Sequence, residues 1–341
     1  MKTHTPTQPC SRYCVGLDIS SQTFTVQLLV EGTPVGKALD FANESKGYKQ
    51  LLQWLKTHDV PLSQTHAVME ATGVYWEECA LYLHEKGIRV NVVNPAQIKA
   101  FANMTLRRSK TDRTDANLIA RFAATMPLPL WEPPSLEMEA LQITMRHREA
   151  LIAMLTEEKN RLHALERRPG TPKEVLKTVK KHIAFMQQQV KDLDDTFKKK
   201  LKEQPEWQEC YELLQSIPGV GGIIAAVLMG ETGGLASFME PRQLVAHAGI
   251  APQQHESGTS VKRTACISKI GNARLRRAAY MAALSAIRCT GPLKDFYQRL
   301  TARGKAKKLA LVAVARKLLI LAFKVVRSGK AYDPQYQAQN A

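Results

Sequence analysis

The stretch RRSKTDRTDANLIARFA, residues 107–123, sets Asp112 and Asp115 three positions apart in otherwise basic sequence. On a helix, residues i and i+3 share a face, with a rise of about 4.5 Å between them. One role for such a pair is local, because acidic side chains in a first turn complement the helix dipole. The other is chemical. Carboxylates crowded together repel one another and call for a cation. Mg²⁺ suits them, since it prefers hard oxygen ligands and leaves part of its shell to water and phosphate. Two more carboxylates fit the chemical role: Asp18 closes the run YCVGLDIS and Glu70 closes HAVMEA, each where a buried strand delivers a side chain to a rim. Asp18, Glu70, Asp112 and Asp115 therefore form a candidate site for Mg²⁺, with Mn²⁺ as a substitute. Two ions about 3.5–4 Å apart are the usual arrangement for phosphodiester chemistry. Ser257, between Glu256 and Gly258, is a fifth candidate. A serine hydroxyl needs a base or metal to attack and nearby cations to stabilise the charge that develops. Lys262, Arg263 and Lys269 can supply those cations, although local chemistry alone favours an ordinary turn serine.

The elements that must position these groups alternate in type over the first 130 residues. Residues 13–20, 23–30 and 35–43 read as three strands of a meander, with EGTP as a turn. Residues 46–58 carry Leu51, Leu52 and Leu55 at helical spacing. Strand-like 66–71, helical 75–87, strand-like 88–94 and a helix opening at Pro95 follow. Three strands, helix, strand, helix, strand, helix is the order of the ribonuclease H-like fold, an α/β domain that also hosts RuvC-type nucleases. In that fold the strands ending in Asp18 and Glu70 are neighbours, and the helix bearing Asp112 and Asp115 packs across the sheet beside them. VGLDISSQTF also resembles the first phosphate loop of actin-like ATPases, but the second phosphate loop and equivalent domain of that scheme do not appear.

The proline-rich PLPLWEPPS at 127–135 reads as a boundary, giving an N-terminal domain over 1–130. Residues 131–210 read as a hairpin of long helices turning at RPGTP. Leu176, Val179, Ile183, Met186, Val190, Leu193 and Phe197 make a heptad seam that either folds back on its partner or zips against a second subunit. Residues 211–341 read as a mainly helical third part. Its LLQSIPGVGGIIAAVLMGETGG resembles the helix-hairpin-helix element of DNA-binding proteins, in which a glycine turn, here Gly219 and Gly221, brings backbone N–H groups to a phosphate.

A chain of 341 residues exceeds what one hydrophobic core usually serves. Its net charge of +17 calls for a polyanion, either nucleic acid or an acidic membrane surface. From residue 258 onward only Asp295 and Asp333 oppose a long series of cations, which favours phosphate binding. Lys110, Lys262, Arg263, Lys269, Arg274, Arg276 and Arg277 are the candidate contacts. The longest apolar run, 309–323, is interrupted by Arg316 and Lys317 and is too short for a bilayer. No secretory leader is apparent, so a cytoplasmic protein is expected. Six scattered cysteines offer no zinc spacing and read as reduced thiols.

GLDIS, MEATGVY, VNPAQIKAFA, KTDRTDA, SIPGVG, AHAGIAPQQHESGTS and SKIGNARLRRAAYM together resemble, in order, the Piv/MooV-type insertion-sequence transposases, the DEDD family also called IS-one-ten. The resemblance spans nearly the whole chain. It implies a RuvC-like domain bearing Asp18, Glu70, Asp112 and Asp115, and a C-terminal transposase domain bearing Ser257 as the nucleophile of a covalent phosphoserine link to DNA. It also implies double-stranded DNA at element ends and target, a structured non-coding guide RNA, a homo-oligomer (dimer or tetramer) with a composite site, and a bacterial, nucleoid-associated setting. Two other functions fit the residues: a RuvC-like structure-selective nuclease that uses water, and a non-catalytic nucleic-acid-binding protein.

Overall fold

The computed structural model describes residues 11–105, 111–235, 237–253 and 266–334, together with the backbone of 256–257 and 261–262. Lys110 and Arg263 lie outside the described residues, as do the side chains of Ser257 and Lys262. The chain divides into two compact units, 1–133 and 134–341.

In the first unit, β1 (Tyr13–Ile19), β2 (Thr23–Val30) and β3 (Thr33–Ala42) form an antiparallel meander. Next come α1 (Ser45–Thr57), β4 (Thr65–Glu70), α2 (Glu77–Glu85), β5 (Arg89–Val93), α3 (Pro95–Met104) and α4 (Asp112–Thr125). The sheet order is β3-β2-β1-β4-β5, with β1, β4 and β5 mutually parallel. The order expected from the sequence is therefore present, with two helices rather than one after β5. Because side chains alternate across a strand, the sheet supports two cores. Val15, Leu17 and Ile19 of β1 join the layer containing Leu51, Leu55, Ala80 and Leu83 of α1 and α2. Cys14 joins Val68, Val93, Ile98, Phe101, Ile119 and Phe122 on the α3 and α4 side.

Gly16, on that second side, lets α4 approach β1. A Cβ there would lie 2.3 Å from the Ala116 carbonyl oxygen and 2.3 Å from the Ala120 nitrogen. Those are backbone atoms and cannot swing away. Ala116 and Ala120 are themselves fully buried, so small residues line both sides of the contact.

In the second unit, α5 (Leu136–Arg167) and α6 (Lys173–Glu203) form a long helical hairpin. Of the expected seam, Val179, Ile183, Met186, Val190 and Phe197 are buried. The first three pack with Leu155, Leu162 and Leu165 of α5, so the seam folds back on its own chain. The two helices are also tied by Arg148, whose guanidinium donates to both Asp194 oxygens at 2.6 and 3.1 Å. Leu141, Met145, Phe197 and Leu201 at the base of the hairpin share one core with α7 (Pro205–Gln215), α8 (Gly222–Thr232), α9 (Pro241–His247), α10 (Ala273–Ala286), α11 (Pro292–Ala302) and α12 (Lys307–Ser328). Among the described residues no helix is long and apolar enough to cross a membrane.

The α4–β1 contact yields a direct test. Gly16→Ala should destabilise the first unit by about 1–3 kcal/mol or more, because overpacking against backbone cannot be relieved by a rotamer change. Urea unfolding followed by circular dichroism measures it, and an unchanged midpoint would refute the close approach.

Candidate functional site

Asp18 and Glu70 leave neighbouring parallel strands at the same level. Leu17 pairs with Met69, and the two carboxylate residues are one step beyond. Strand spacing puts their backbones about 5 Å apart. Both lie on the α4 face, since they alternate with Leu17 and Met69 of the opposite core. Asp18 is also in register with Thr25 of β2, and Thr25 with Asp40 of β3. Glu70, Asp18, Thr25 and Asp40 thus form one row across four strands. The Thr25 hydroxyl donates to Asp40 Oδ1 at 2.7 Å, and the Thr72 hydroxyl donates to Glu70 Oε1 at 3.2 Å. Asp18 and Glu70 are half-buried at this rim, which is the carboxyl end of β1, β4 and β5.

Helix α4 starts over the same row. Thr111 is its cap: its hydroxyl accepts from the Thr114 nitrogen at 3.3 Å, while the Thr111 nitrogen donates back to the Thr114 hydroxyl at 2.9 Å. Capping therefore falls to two threonines, not to Asp112 or Asp115. The aspartates occupy the first turn, Asp112 exposed and Asp115 half-buried. Asp115 directly precedes Ala116, the residue pressed onto Gly16, and Gly16 is two residues from Asp18 on the same face of β1. Arg113 reaches across to Asp40 at 3.7 Å, which places the first turn over the meander. Both members of that pair are largely exposed, so it marks position and adds little stability.

The four predicted carboxylates thus sit on elements that converge on one rim. Among the described residues no three His, Cys, Asp or Glu side chains are gathered closely enough to hold a metal ion. The donor set itself, all carboxylate oxygen, matches a hard divalent cation and none of the softer metals. Sequence reasoning missed Asp40 and Arg113. The signal lay in the register, because Asp40 stands opposite Thr25 only once the meander is aligned.

In the second unit, β6 (Pro252–Gln253) pairs with β9 (Cys266–Ile267), and β7 (Glu256–Ser257) with β8 (Val261–Lys262). In the second, antiparallel pair Ser257 is in register with Val261 and Glu256 with Lys262. The same unit holds a polar node around the buried Glu231. Glu231, in the last turn of the apolar α8, accepts from Arg146 of α5 at 3.1 Å on each oxygen, and from the Asn272 amide at 2.7 Å. Asn272 also caps α10 through the Arg274 and Leu275 nitrogens, while its own nitrogen donates to the His247 carbonyl. Four helices and the C-terminal root of the ribbon meet at one carboxylate. Burial by itself pushes the Glu231 carboxyl up, but hydrogen bonds from Arg146 and Asn272, with the charges of Arg146 and Arg274, outweigh it and hold the group below its ordinary range. A lone acid in an otherwise apolar helix was the sequence signal for this node.

The predicted phosphate contacts divide. Gly219, at φ +87°, is a packing glycine: a Cβ there would meet the Ala282 carbonyl at 2.5 Å and the Ala286 nitrogen at 2.6 Å. Gly221, which caps α8, has open space where its Cβ would be, whereas a Cβ at Gly222 would meet the Tyr211 hydroxyl at 2.4 Å. Arg274 and Arg277 both pair with Glu149 of α5, the former at 3.1 Å. Arg276 donates to the carbonyls of Ala248 and Lys269 at 3.0 and 3.2 Å, a bracing role. Lys269 is exposed, with φ +58°. The Gly219–Gly222 turn, Arg148, Arg274 and Arg277 border a cleft of about 940 Å³.

Comparison with known proteins adds an independent line. Residues 15–166 match the family of DEDD transposases of IS110 type, and residues 211–298 match the family described as Transposase IS116/IS110/IS902. The chain is 31% identical over 324 residues to the pilin gene-inverting protein of Moraxella bovis, which covers 95% of this chain and 98% of that one. It is 26% identical over 238 residues to the transposase for insertion sequence element IS1111A of Coxiella burnetii, covering 61% of this chain and 62% of that one. It is 34% identical over 126 residues to an insertion element IS110 protein of Streptomyces coelicolor, covering 37% and 31%.

The buried node has a pH signature. With its folded pKa depressed, Glu231 contributes stability above its ordinary value of 4.5, and that contribution is lost as pH falls through the lower folded value. Glu231→Gln should cost about 1.5–3 kcal/mol at neutral pH, with variant and wild-type stabilities converging in acid. Urea unfolding across the pH range reads this, and equal stability at neutral pH would contradict it.

Proposed function

The chain belongs to the IS116/IS110/IS902 family of transposases, and from that premise we propose that it cuts and rejoins DNA by a divalent-metal-dependent transfer through a covalent phosphoserine link. Transposases and recombinases of this family catalyse DNA strand transfer, so the chain is an enzyme that acts on DNA. The Moraxella bovis relative is named for inverting a pilin gene. Site-specific recombination of an insertion sequence is accordingly the activity proposed for this chain.

The observation that carries the reading is the side-by-side exit of Asp18 and Glu70 at the carboxyl ends of β1 and β4, under the first turn of α4. We assign Asp18, Glu70, Asp112 and Asp115 as the residues that hold Mg²⁺ in a ribonuclease H/RuvC-like domain, with Mn²⁺ as a substitute. When bound, the ion supplies charge neutralisation at a phosphoryl oxygen. The carboxylates would hold and position that ion, since as anions without donors they repel the phosphate themselves. Ser257 Oγ attacks phosphorus: the Oγ–P bond forms, the bond to the leaving sugar oxygen breaks, the serine proton passes to solvent, and the departing oxygen takes a proton from solvent. Phosphodiester bond energy is kept in the serine ester, so the reverse attack by a sugar hydroxyl rejoins strands without ATP.

Cation excess supports a nucleic-acid path over the second unit. Lys269, Lys262, Arg263 and the open Gly221 turn are its proposed phosphate contacts, as is Lys110 in the first unit. Arg274 and Arg277 remain candidates if Glu149 yields them to phosphate. The family resemblance adds a structured non-coding guide RNA and a homo-oligomer, dimer or tetramer, as proposed partners.

Ser257→Ala should abolish a protein–DNA adduct resistant to denaturing gel conditions while leaving DNA affinity within a few-fold of wild type. Asp18→Asn should remove strand cleavage in the presence of Mg²⁺. Cleavage by Ser257→Ala without an adduct would replace this reading with a nuclease that uses water. Biological activity in Asp18→Asn would replace it with a non-catalytic binder. Binding should weaken with salt at a log–log slope of about −0.7 to −0.9 per phosphate contact.

A further inference from the structure

The segment joining Glu70 to α2, residues 71–76, is pinned at several points yet holds two large apolar side chains in solvent. The Ala71 nitrogen donates to the Val93 carbonyl at 2.9 Å, and the Thr72 nitrogen to the Glu70 carbonyl at 2.8 Å. The Trp76 indole donates to the Gly73 carbonyl at 3.1 Å and packs edge-on against Trp131. Asn43 clamps the middle: its amide donates to the Ser20 carbonyl at 2.9 Å and to the Tyr75 carbonyl at 3.0 Å. Asn43 is itself oriented by the hydroxyl of the fully buried Tyr48, at 2.8 Å. The clamp therefore joins the end of β1, just past Asp18, to the backbone of Tyr75.

Against that rigidity, Val74 is 64% exposed and Tyr75 49%. The Tyr75 ring lies over Gly73, whose φ is +61°. A Cβ built at Gly73 would sit 3.5 and 3.6 Å from two ring carbons, an ordinary contact distance. One edge of the ring thus lies against the Gly73 backbone, and about half of the residue faces solvent. Tyr75 follows Glu70 by five positions, so their Cα atoms are at most about 18 Å apart, and the Thr72 turn shortens that path. A single exposed apolar residue needs no explanation. Two adjacent ones on a clamped loop beside a row of carboxylates are different, because the clamp denies them the collapse that would bury them.

We propose that Tyr75, flanked by Val74, is a stacking platform for a nucleobase next to the phosphodiester handled at the Asp18–Glu70 rim. This rests on reading that rim as the place where strands are cut and joined. Carboxylates and their cation address phosphate and are blind to the base. A fixed aromatic face takes up the flat apolar surface that remains when a base leaves the helical stack. Strand exchange requires bases to unpair, and stacking tolerates any sequence because every base has a π face. The base can belong to DNA or to RNA, and both present the same surface.

The test uses the full chain with three short labelled single strands: oligothymidylate, an abasic deoxyribose strand of equal length, and oligouridylate. Fluorescence anisotropy in EDTA gives affinities without cleavage. Tyr75→Ala should lose about 5- to 150-fold on a base-bearing strand and nothing on the abasic strand. Tyr75→Phe should behave as wild type. The salt slope should be unchanged in Tyr75→Ala, since no phosphate contact is removed. A loss on the thymidylate strand identifies DNA as the source of the base, and a loss on the uridylate strand identifies RNA. Equal affinity of Tyr75→Ala and wild type on both base-bearing strands overturns the proposal, as does an equal loss on the abasic strand. Asp18→Asn, assayed in parallel for Mg²⁺-dependent cleavage, separates the two readings: if that variant still cuts, the rim loses its catalytic role whatever Tyr75 does.

Discussion

Helix α4 can lie against β1 only because Gly16 has no side chain, and the acidic rim depends on that contact. Any Cβ at Gly16 would meet the backbone of Ala116 and Ala120, so the helix would have to rise off the sheet. Its first turn, carrying Asp112 and Asp115, would rise with it. Carboxylates have no mutual attraction to draw them together, so something apolar must do so. Here that role falls to the packing of Leu118, Ile119 and Phe122 with Val68, Val93 and Phe101, which holds the helix down one turn away from the charges. Burial along the rest of the same helix offsets the cost of holding its acidic first turn against the sheet.

The second unit solves a related problem by opposite means. The ribbon carrying Ser257 leaves a mostly apolar helical core, and its C-terminal root is fastened by a buried charge. Glu231 satisfies Arg146 and Asn272 together, and Asn272 in turn caps α10 and grips the chain at His247. Removing either donor leaves the buried Glu231 carboxylate short of a partner, so the arrangement is sensitive to both.

Charge on this chain works at two ranges. The overall excess of cations sets a field that attracts polyanions and carries no sequence information. Close up, the surplus is smaller than the run of arginines implies, because Glu149 folds back onto Arg274 and Arg277 from 125 and 128 residues away. Arg276 is occupied with backbone carbonyls. A cation count along the chain therefore overstates the number of side chains ready to meet phosphate.

Much was legible in the residues themselves. Alternation and helical spacing anticipated the order of strands and helices through α3, and the heptad spacing of α6 anticipated the hairpin. The position of Asp18 and Glu70 at strand ends followed from apolar runs that stop at them. These features are local: they depend on periods of two and 3.6 residues, which any short window contains. What the tertiary structure decided were the relations between distant segments. Only strand register puts Asp40 in line with Asp18, and only the packed helices bring Glu149 to Arg277 or Arg146 to Glu231. Only packing distinguishes Gly219, filled by α10, from Gly221, open to an approaching group. Such contacts are chosen by the shape and burial of the whole unit, and no window of sequence holds both partners at once.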